Sequence, residues 1–281
     1  MTSTISPRES AEVAAANASG RQPVVFVHGL WLLPSSWAAW RTLFEERGYA
    51  TVAADWPDDP ETVAEARANP DGFAGKSVGQ VADHVADLIA TLERKPIVIG
   101  HSFGGLLVQI LAGRGLATAT VSIDPAPSRG VLPLPFSALK AAFPVLGNPG
   151  NRTKAVTLTF EQFRYGFANA VSEAEARALY EEFHVAAPGR PLFQAATANL
   201  HPGTEAKADK VNPDRGPMLI ISGQKDNIVP WALANAAYKQ QKRNSHRTEI
   251  VEIPGRGHSL VIDAGWGDVA EAALTFLAKQ Q

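Results

Sequence analysis

Residues 97–105 read Ile-Val-Ile-Gly-His-Ser-Phe-Gly-Gly, so an apolar run breaks off into Gly100-His101-Ser102-Phe103-Gly104. The G-x-S-x-G spacing is that of a nucleophile elbow, a strand-to-helix turn that holds a serine in a strained backbone with its hydroxyl exposed. Side chains at Gly100 and Gly104 would collide with the neighbouring strand or helix. A helix beginning just after Ser102 aims free backbone N–H groups at the place where negative charge develops in acyl transfer. The plainer reading of the same stretch is a glycine-rich turn that packs closely or holds a phosphate. The β-branched run before it, and the helical spacing of Leu106, Leu107, Ile110 and Leu111 after it, favour the elbow.

A serine hydroxyl needs a base within hydrogen-bond reach and a third group to orient that base. Of the seven histidines, His258 is the best placed, in Pro254-Gly255-Arg256-Gly257-His258-Ser259 directly after the last strand signal. His28 and His101 belong to motifs whose own geometry explains them. His84 sits on an amphipathic helix, His184 and His201 fall in a long insertion, and His246 lies in a polar loop. The orienting acid should also follow a strand. Asp226, in Ser222-Gly223-Gln224-Lys225-Asp226, precedes His258 by one helix and one strand, which gives the chain order Ser, Asp, His. Asp124 is the rival, because it too ends a strand, and Asp226 could instead be a helix N-terminal residue ahead of Pro230.

An oxyanion needs two backbone donors. The N–H of Phe103 is one, and the turn His28-Gly29-Leu30-Trp31 supplies the other, with Leu30 the first choice. Trp31, His101, Phe136, Phe163 and Val229 are candidates to line a substrate pocket. Trp31 and Trp37 could equally be packing residues on the helix that follows.

These groups must be positioned by regular elements. Strand signals occur at residues 24–27, 51–54, 97–99, 120–123, 218–221 and 248–253, with amphipathic helices expected at 36–46, 78–93, 103–114, 230–241 and 267–279. This β-α alternation implies a parallel sheet covered on both faces. Between Pro125 and Pro217 no convincing sheet strand appears. The interval opens with Pro125, Pro127, Pro133 and Pro135 and then reads as helices, clearest at 160–170 and 172–183, where Ser172 and Glu175 form a capping-box pattern. An insertion of that length is expected to be a helical cap over residues 131–211. Its aromatics (Phe136, Phe143, Phe160, Phe163, Tyr165, Phe167, Phe183, Phe193) suit an apolar roof, although most should simply hold the cap together. The core is then 21–130 and 212–281, and residues 1–20 read as a polar, Ala/Ser-rich tail that could hold a short helix around Glu9–Ala16.

With 281 residues, 45% of them hydrophobic, the chain can bury a large α/β core. A net charge of −2 gives no footprint for nucleic acid. No apolar run reaches membrane-spanning length, so no membrane anchor is expected. No export signal is visible, which points to the cytoplasm. The absence of cysteine excludes thiol catalysis and disulfides. No metal or cofactor motif is seen and none is expected. The expected partner is a small-molecule substrate, and oligomeric state is not legible.

On His28-Gly29, the stretch from Gly100 to Gly105, Asp226 and Gly257-His258, the chain resembles a serine-nucleophile member of the α/β-hydrolase superfamily over residues 22–280. The His-Gly-x-Trp opening, followed by a second tryptophan, is also similar to the esterase and hydroxynitrile-lyase branch. The resemblance implies a mostly parallel sheet of six to eight strands. Six are expected, since no hairpin precedes Val24. It also implies cofactor-free acyl transfer through Ser102, Asp226 and His258, with a carboxylic ester or lactone as substrate. Carbon–carbon bond hydrolysis, perhydrolysis, cyanohydrin cleavage and a non-enzymatic receptor are the alternatives. A serine at the elbow argues against the epoxide hydrolase and haloalkane dehalogenase branches.

Overall fold

Six runs rich in β-branched and other apolar residues become the strands of one parallel sheet in the structure, a computed structural model that describes residues 4–280. They are β1 (Pro23–Val27), β2 (Ala50–Ala54), β3 (Ile97–His101), β4 (Ala119–Ile123), β7 (Met218–Gly223) and β8 (Thr248–Ile253). They lie in the order β2-β1-β3-β4-β7-β8, and every pairing is parallel. The chain steps outward from β1 to β2 and then returns to place β3 on the other side of β1. The crevice between the C-terminal ends of β1 and β3 is therefore the switch point where such sheets bind ligands. The two turns read as chemical, at His28-Gly29 and at Ser102, leave those two ends.

Alternate residues of the buried strands feed opposite faces. Val25, Val27 and Val98 join one core with α1 (Pro7–Ser19), α4 (Val78–Ala90) and α5 (Phe103–Gly113). Val24, Phe26, Ile99, Val121 and Ile221 join another with α2 (Ala38–Glu46) and α11 (Trp266–Ala278). Met218 and Ile220 pack with α10 (Trp231–Gln241). Trp37 is a packing residue: it is fully buried with its ring 5.1 Å from that of Phe26. Trp40 Nε1–H donates to Val261 O at 3.0 Å, which pins α2 to the loop carrying His258.

The short helix expected within the N-terminal stretch forms, but it is longer than expected and docks on the sheet instead of belonging to a tail. In α1, Ser6 and Glu9 form a reciprocal capping box, Pro7 opens the helix and Gly20 closes it in a left-handed conformation. Val13 and Ala16 are buried, and the buried Glu9 bonds to His84 of α4 at 3.0 Å. The polar composition hid this, because the helix is fixed largely by charged contacts to β2 and α4. Arg8, for example, binds Asp55 at 2.6 Å.

After β2 comes the short helix α3 (Val63–Ala68). Between β4 and β7 the insertion builds α6 (Phe136–Leu146), α7 (Phe160–Gly166), α8 (Glu173–Phe183) and α9 (Arg190–Ala196), with a small antiparallel pair of β5 (Ala155–Val156) and β6 (Ala187–Pro188). Ser172 caps α8 through Glu175 N–H, as its spacing predicts. Glu175 does not close the box: its carboxylate takes Ala264 N–H at 2.8 Å and ties the insertion to the loop after His258. Helix α7 stops short of the expected residue 170, and Phe167 O instead accepts Ser259 N–H at 2.9 Å. No helix among the described residues is long and apolar enough to cross a membrane.

Candidate active site

Ser102 sits at φ 57°, ψ −118°, a backbone region that L-residues rarely adopt. Its environment enforces this. A Cβ at Gly100 would run into Gly104 O, and one at Gly104 into Val27 O, so the start of α5 is pressed against β1 and β3. Ser102 N–H donates to Ile123 O at 2.9 Å, and its carbonyl accepts from Ala126 N–H at 2.9 Å and Leu106 N–H at 3.2 Å. The hydroxyl makes no hydrogen bond to any described residue and opens into a cavity. Strain gathers here. Of the four non-glycine residues with positive φ among the described residues, Trp31, Ser102 and Asp124 lie at the ends of β1, β3 and β4.

His258 and Asp226 are brought together. Both are buried, and His258 Nδ1 lies 2.5 Å from Asp226 Oδ2. Asp226 Oδ1 accepts Ile228 N–H at 2.6 Å and Val229 N–H at 2.9 Å, so the carboxylate is fixed by its own turn. His258 Nε2 is buried without a partner. The Ser102 hydroxyl makes no hydrogen bond to it in this structure. The imidazole is held on two sides. Phe167 stands edge-on at 4.9 Å between centroids, and the His101 ring, one residue from Ser102, lies at 4.6 Å. Burial, then the neighbouring His258, push the His101 imidazole well below its ordinary pKa and keep it neutral.

Asp124, the rival acid, is also present. It is fully buried at φ 38°, and its Oδ1 accepts Gly223 N–H at 2.9 Å. One carboxylate oxygen each from Asp124 and Asp226 and one ring nitrogen of His258 lie within 4.8 Å of one another. That is a donor set a cation could use, but Nδ1 and Asp226 are already committed to each other by a short hydrogen bond, and a metal there would have to break it. Burial, then the charge and hydrogen bonding of Asp226, push the Asp124 carboxyl well above the carboxylate range.

The amides of Leu30 and Phe103 donate to no described residue, as an oxyanion pair requires. The loop carrying Leu30 is braced from behind. His28 Nδ1 lies 2.8 Å from Gly29 O, and His28 Nε2 lies 2.9 Å from Asp59 Oδ2. Because Gly29 C=O and Leu30 N–H belong to one planar trans peptide, fixing the carbonyl aims the N–H the opposite way. Asp59 is held in turn by Lys76 Nζ at 3.3 Å and Trp56 N–H at 2.9 Å. A Cβ on Gly29 would come within 2.8 Å of Ser102 Cβ, so this loop rests on the elbow itself. Sequence reasoning missed Asp59. Its signal was an acidic pair, Asp58-Asp59, just after a strand whose neighbour ends in His28.

The cavity at Ser102 has about 140 Å³ of free space and is lined by Trp31, Phe103, Pro133, Leu134, Ala138, Leu139, Leu192, Ile228, Val229 and Leu233. Trp31 and Val229 line it as expected; three other candidates do not. Phe136 is 80% exposed on the outer side of α6, one residue out of register with the face that turns inward. Phe163, on α7, is buried within the insertion, stacked on Phe167 at 5.1 Å. His101 is absent from the lining and packs against His258. The roof is thus prolines and aliphatics, while one aromatic of the insertion, Phe167, braces His258 from the side. A larger depression of about 470 Å³, lined by Arg152, Gln194, His201 and Glu205, lies away from Ser102 and includes none of these groups.

The family model described as the alpha/beta hydrolase family matches residues 24–272. Among solved structures, a monoacylglycerol lipase from Paleococcus ferrophilus is 21% identical, covering 92% of this chain and 95% of that chain at a TM-score of 0.62. A methylesterase from Arabidopsis is 14% identical, covering 92% and 99% at 0.63. A pyrethroid hydrolase from Sphingobium faniae JZ-2 is 20% identical, covering 91% and 96% at 0.61. No curated protein matches the sequence.

Proposed function

The chain belongs to the alpha/beta hydrolase family, and from that premise we propose that it hydrolyses a carboxylic ester, or lactone, of a small apolar substrate through an acyl-enzyme on Ser102. The observation that carries the reading is the His258–Asp226 bond with Nε2 left unpartnered, one ring away from the strained elbow. Asp226 holds the tautomer in which Nδ1 carries the proton, so the Nε2 lone pair accepts the Ser102 proton. Ser102 Oγ then attacks the substrate carbonyl, and the oxyanion rests on the Leu30 and Phe103 N–H groups. Imidazolium Nε2–H protonates the departing alcohol. Water, deprotonated by the same nitrogen, then releases the acid and frees Ser102. Proximity and an oxyanion site suffice for this sequence of steps.

The aliphatic lining and small volume support an apolar acyl or alcohol part, and the insertion, acting as a cap, supplies α6 and α9 as its roof. Names of the structural neighbours, a monoacylglycerol lipase, a methylesterase and a pyrethroid hydrolase, accord with ester hydrolysis.

A fluorophosphonate probe tests the nucleophile: it should label the wild-type chain at one serine, and not Ser102→Ala. A chain-length series of p-nitrophenyl esters, beside a lactone panel, tests the substrate class, with short and medium apolar acyl groups preferred over polar ones. Labelling that persists in Ser102→Ala would refute the assignment. Intact labelling with no turnover of any ester or lactone would redirect it to another reaction on the same serine.

A further inference from the structure

Two carboxyls, not one, stand behind His258. Asp226 accepts three hydrogen bonds, from Ile228 N–H, Val229 N–H and His258 Nδ1, whereas Asp124 accepts one backbone hydrogen bond, from Gly223 N–H. Asp124 Oδ2 is buried with no partner that meets hydrogen-bond geometry. Two carboxyls this close in a dry interior do not both ionise, and the better solvated one keeps the charge. Asp226 is therefore the better-stabilised carboxylate of the two. A proton on Asp124, whose carboxyl otherwise has only Gly223 N–H and the nearby Ser222 hydroxyl to favour its charge, turns it from a repelling neighbour into a donor. The ends of β4 and β7 are adjacent, so the pair is a product of sheet order: each strand delivers an acid to the same histidine.

We propose that Asp124 is a positioning residue of the triad, a protonated carboxylic acid that donates to Asp226 and, when the Asp226 charge is removed, ionises and becomes the partner of His258. This rests on the hydrolase reading above. Three features fit. The strained φ of Asp124 is one that Asp and Asn tolerate best, so the position is built for a short polar side chain. Its Oδ1 is fastened to Gly223, three residues from Asp226, so the two acids keep a fixed separation. Without Asp124 the Asp226 charge is shared by His258 and two backbone N–H groups; a second, neutral carboxyl adds a further donor and spreads it. No proton is created or lost in the resting enzyme. The proton on Asp124 stays within the pair, and on loss of Asp226 it leaves to solvent.

The experiment is a double-mutant cycle of Asp226→Ala and Asp124→Asn, read by ester kcat/KM and by the rate of fluorophosphonate labelling of Ser102. Asparagine keeps the backbone conformation, the acceptor to Gly223 and a donor towards Asp226, but cannot ionise. Asp124→Asn alone should lower kcat a few-fold with KM unchanged. It should also move the acidic limb of the pH profile upward, because a weaker donor leaves more negative charge facing His258. Asp226→Ala should retain activity to within about 100-fold of wild type, against the roughly 10⁴-fold loss expected when a triad acid is lost with nothing to replace it. The double variant should suffer that full loss. Equal activity of Asp226→Ala and the double variant would overturn the proposal. If Asp226→Ala does not fold, the downfield Nδ1–H proton resonance of His258 decides: it should shift in Asp124→Asn, and an unmoved resonance refutes a donating Asp124. That resonance needs no turnover, so it separates failure here from failure of the hydrolase reading, which the absence of any Ser102 labelling in the wild type would signal.

Discussion

The chain buries the same chemical pair, a histidine bonded to a carboxylate, in two regions with opposite surroundings. At the C-terminal edge of the sheet, His258 meets Asp226 at 2.5 Å; on one sheet face, His84 of α4 meets Glu9 of α1 at 3.0 Å. What differs is the surroundings. Glu9 is saturated, taking Ser6 N–H and Asp55 N–H as well as the imidazole, and the Arg8–Asp55 and Arg8–Glu12 ion pairs stand around it. His258 keeps one nitrogen unpartnered beside an elbow whose backbone is strained. A buried ion pair whose groups are all satisfied fastens two helices. The same pair with one lone pair left free can take a proton from a neighbour.

The largest effects should separate the two regions outright. Ser102→Ala and His258→Ala should each lower ester hydrolysis by about 10⁴-fold or more while leaving thermal stability within about 1 kcal/mol of wild type for the serine variant. Glu9→Ala should do the reverse. Removing one partner of a buried pair leaves the other uncompensated, so it should cost about 3 kcal/mol in urea unfolding. Specific activity of the folded fraction should be unchanged. If Glu9→Ala instead lowered kcat in fully folded protein, the division between fastening and reacting would not hold.

A third pair tests the boundary between them. His28 bonds Asp59 as His84 bonds Glu9, yet its other nitrogen holds Gly29 O, the far side of the peptide that presents Leu30 N–H. It is a fastening pair placed behind the amide proposed as an oxyanion donor. His28→Leu should therefore lower kcat by about 10- to 100-fold, less than deleting an oxyanion donor outright, with KM little changed. A change confined to KM would mean the loop binds substrate rather than orienting a donor.

Sequence reading singled out the residues of one of these regions and did not see the other, for a physical reason. Ser102, Asp226 and His258 each follow a strand, and strand periodicity is local, so their convergence at one edge follows from chain order. Six strands, the elbow glycines and the length of the insertion were legible in the same way. The Glu9–His84 bond joins residues 75 apart on two helices, and nothing local to either announces it. The pocket failed for a related reason. The aromatics of the insertion were visible as composition, but which face of α6 turns inward depends on its docking, and Leu134, Ala138 and Leu139 took the place given to Phe136.

The smallest expected effect is a pH dependence carried by the fastening pair. Burial disfavours charge on both groups. The bond to Glu9, followed by the charges of Glu9, Asp55 and Asp59, nonetheless raises His84 above 6.5, and the bond and charge of His84 with two backbone donors hold Glu9 below 4.5. A histidine raised on folding contributes stability that is full below 6.5 and fades as pH climbs through its folded value. A carboxylate lowered on folding contributes stability that is full above 4.5 and fades as pH falls through its folded value. Asp55, raised by burial and then by Glu9, works against the acid side, because its favourable protonated form is lost as pH rises through its own folded value. The pair should thus support the fold best between the two limits, and on the alkaline side the loss belongs to His84 alone. Urea unfolding from below pH 6.5 to about pH 9 should show a decline in wild-type stability that Glu9→Gln/His84→Gln flattens, while the pH profile of ester hydrolysis by the folded double variant stays that of the wild type. A wild-type curve as flat as that of the double variant would mean that His84 is neutral when folded and that the two regions differ less than their geometry implies.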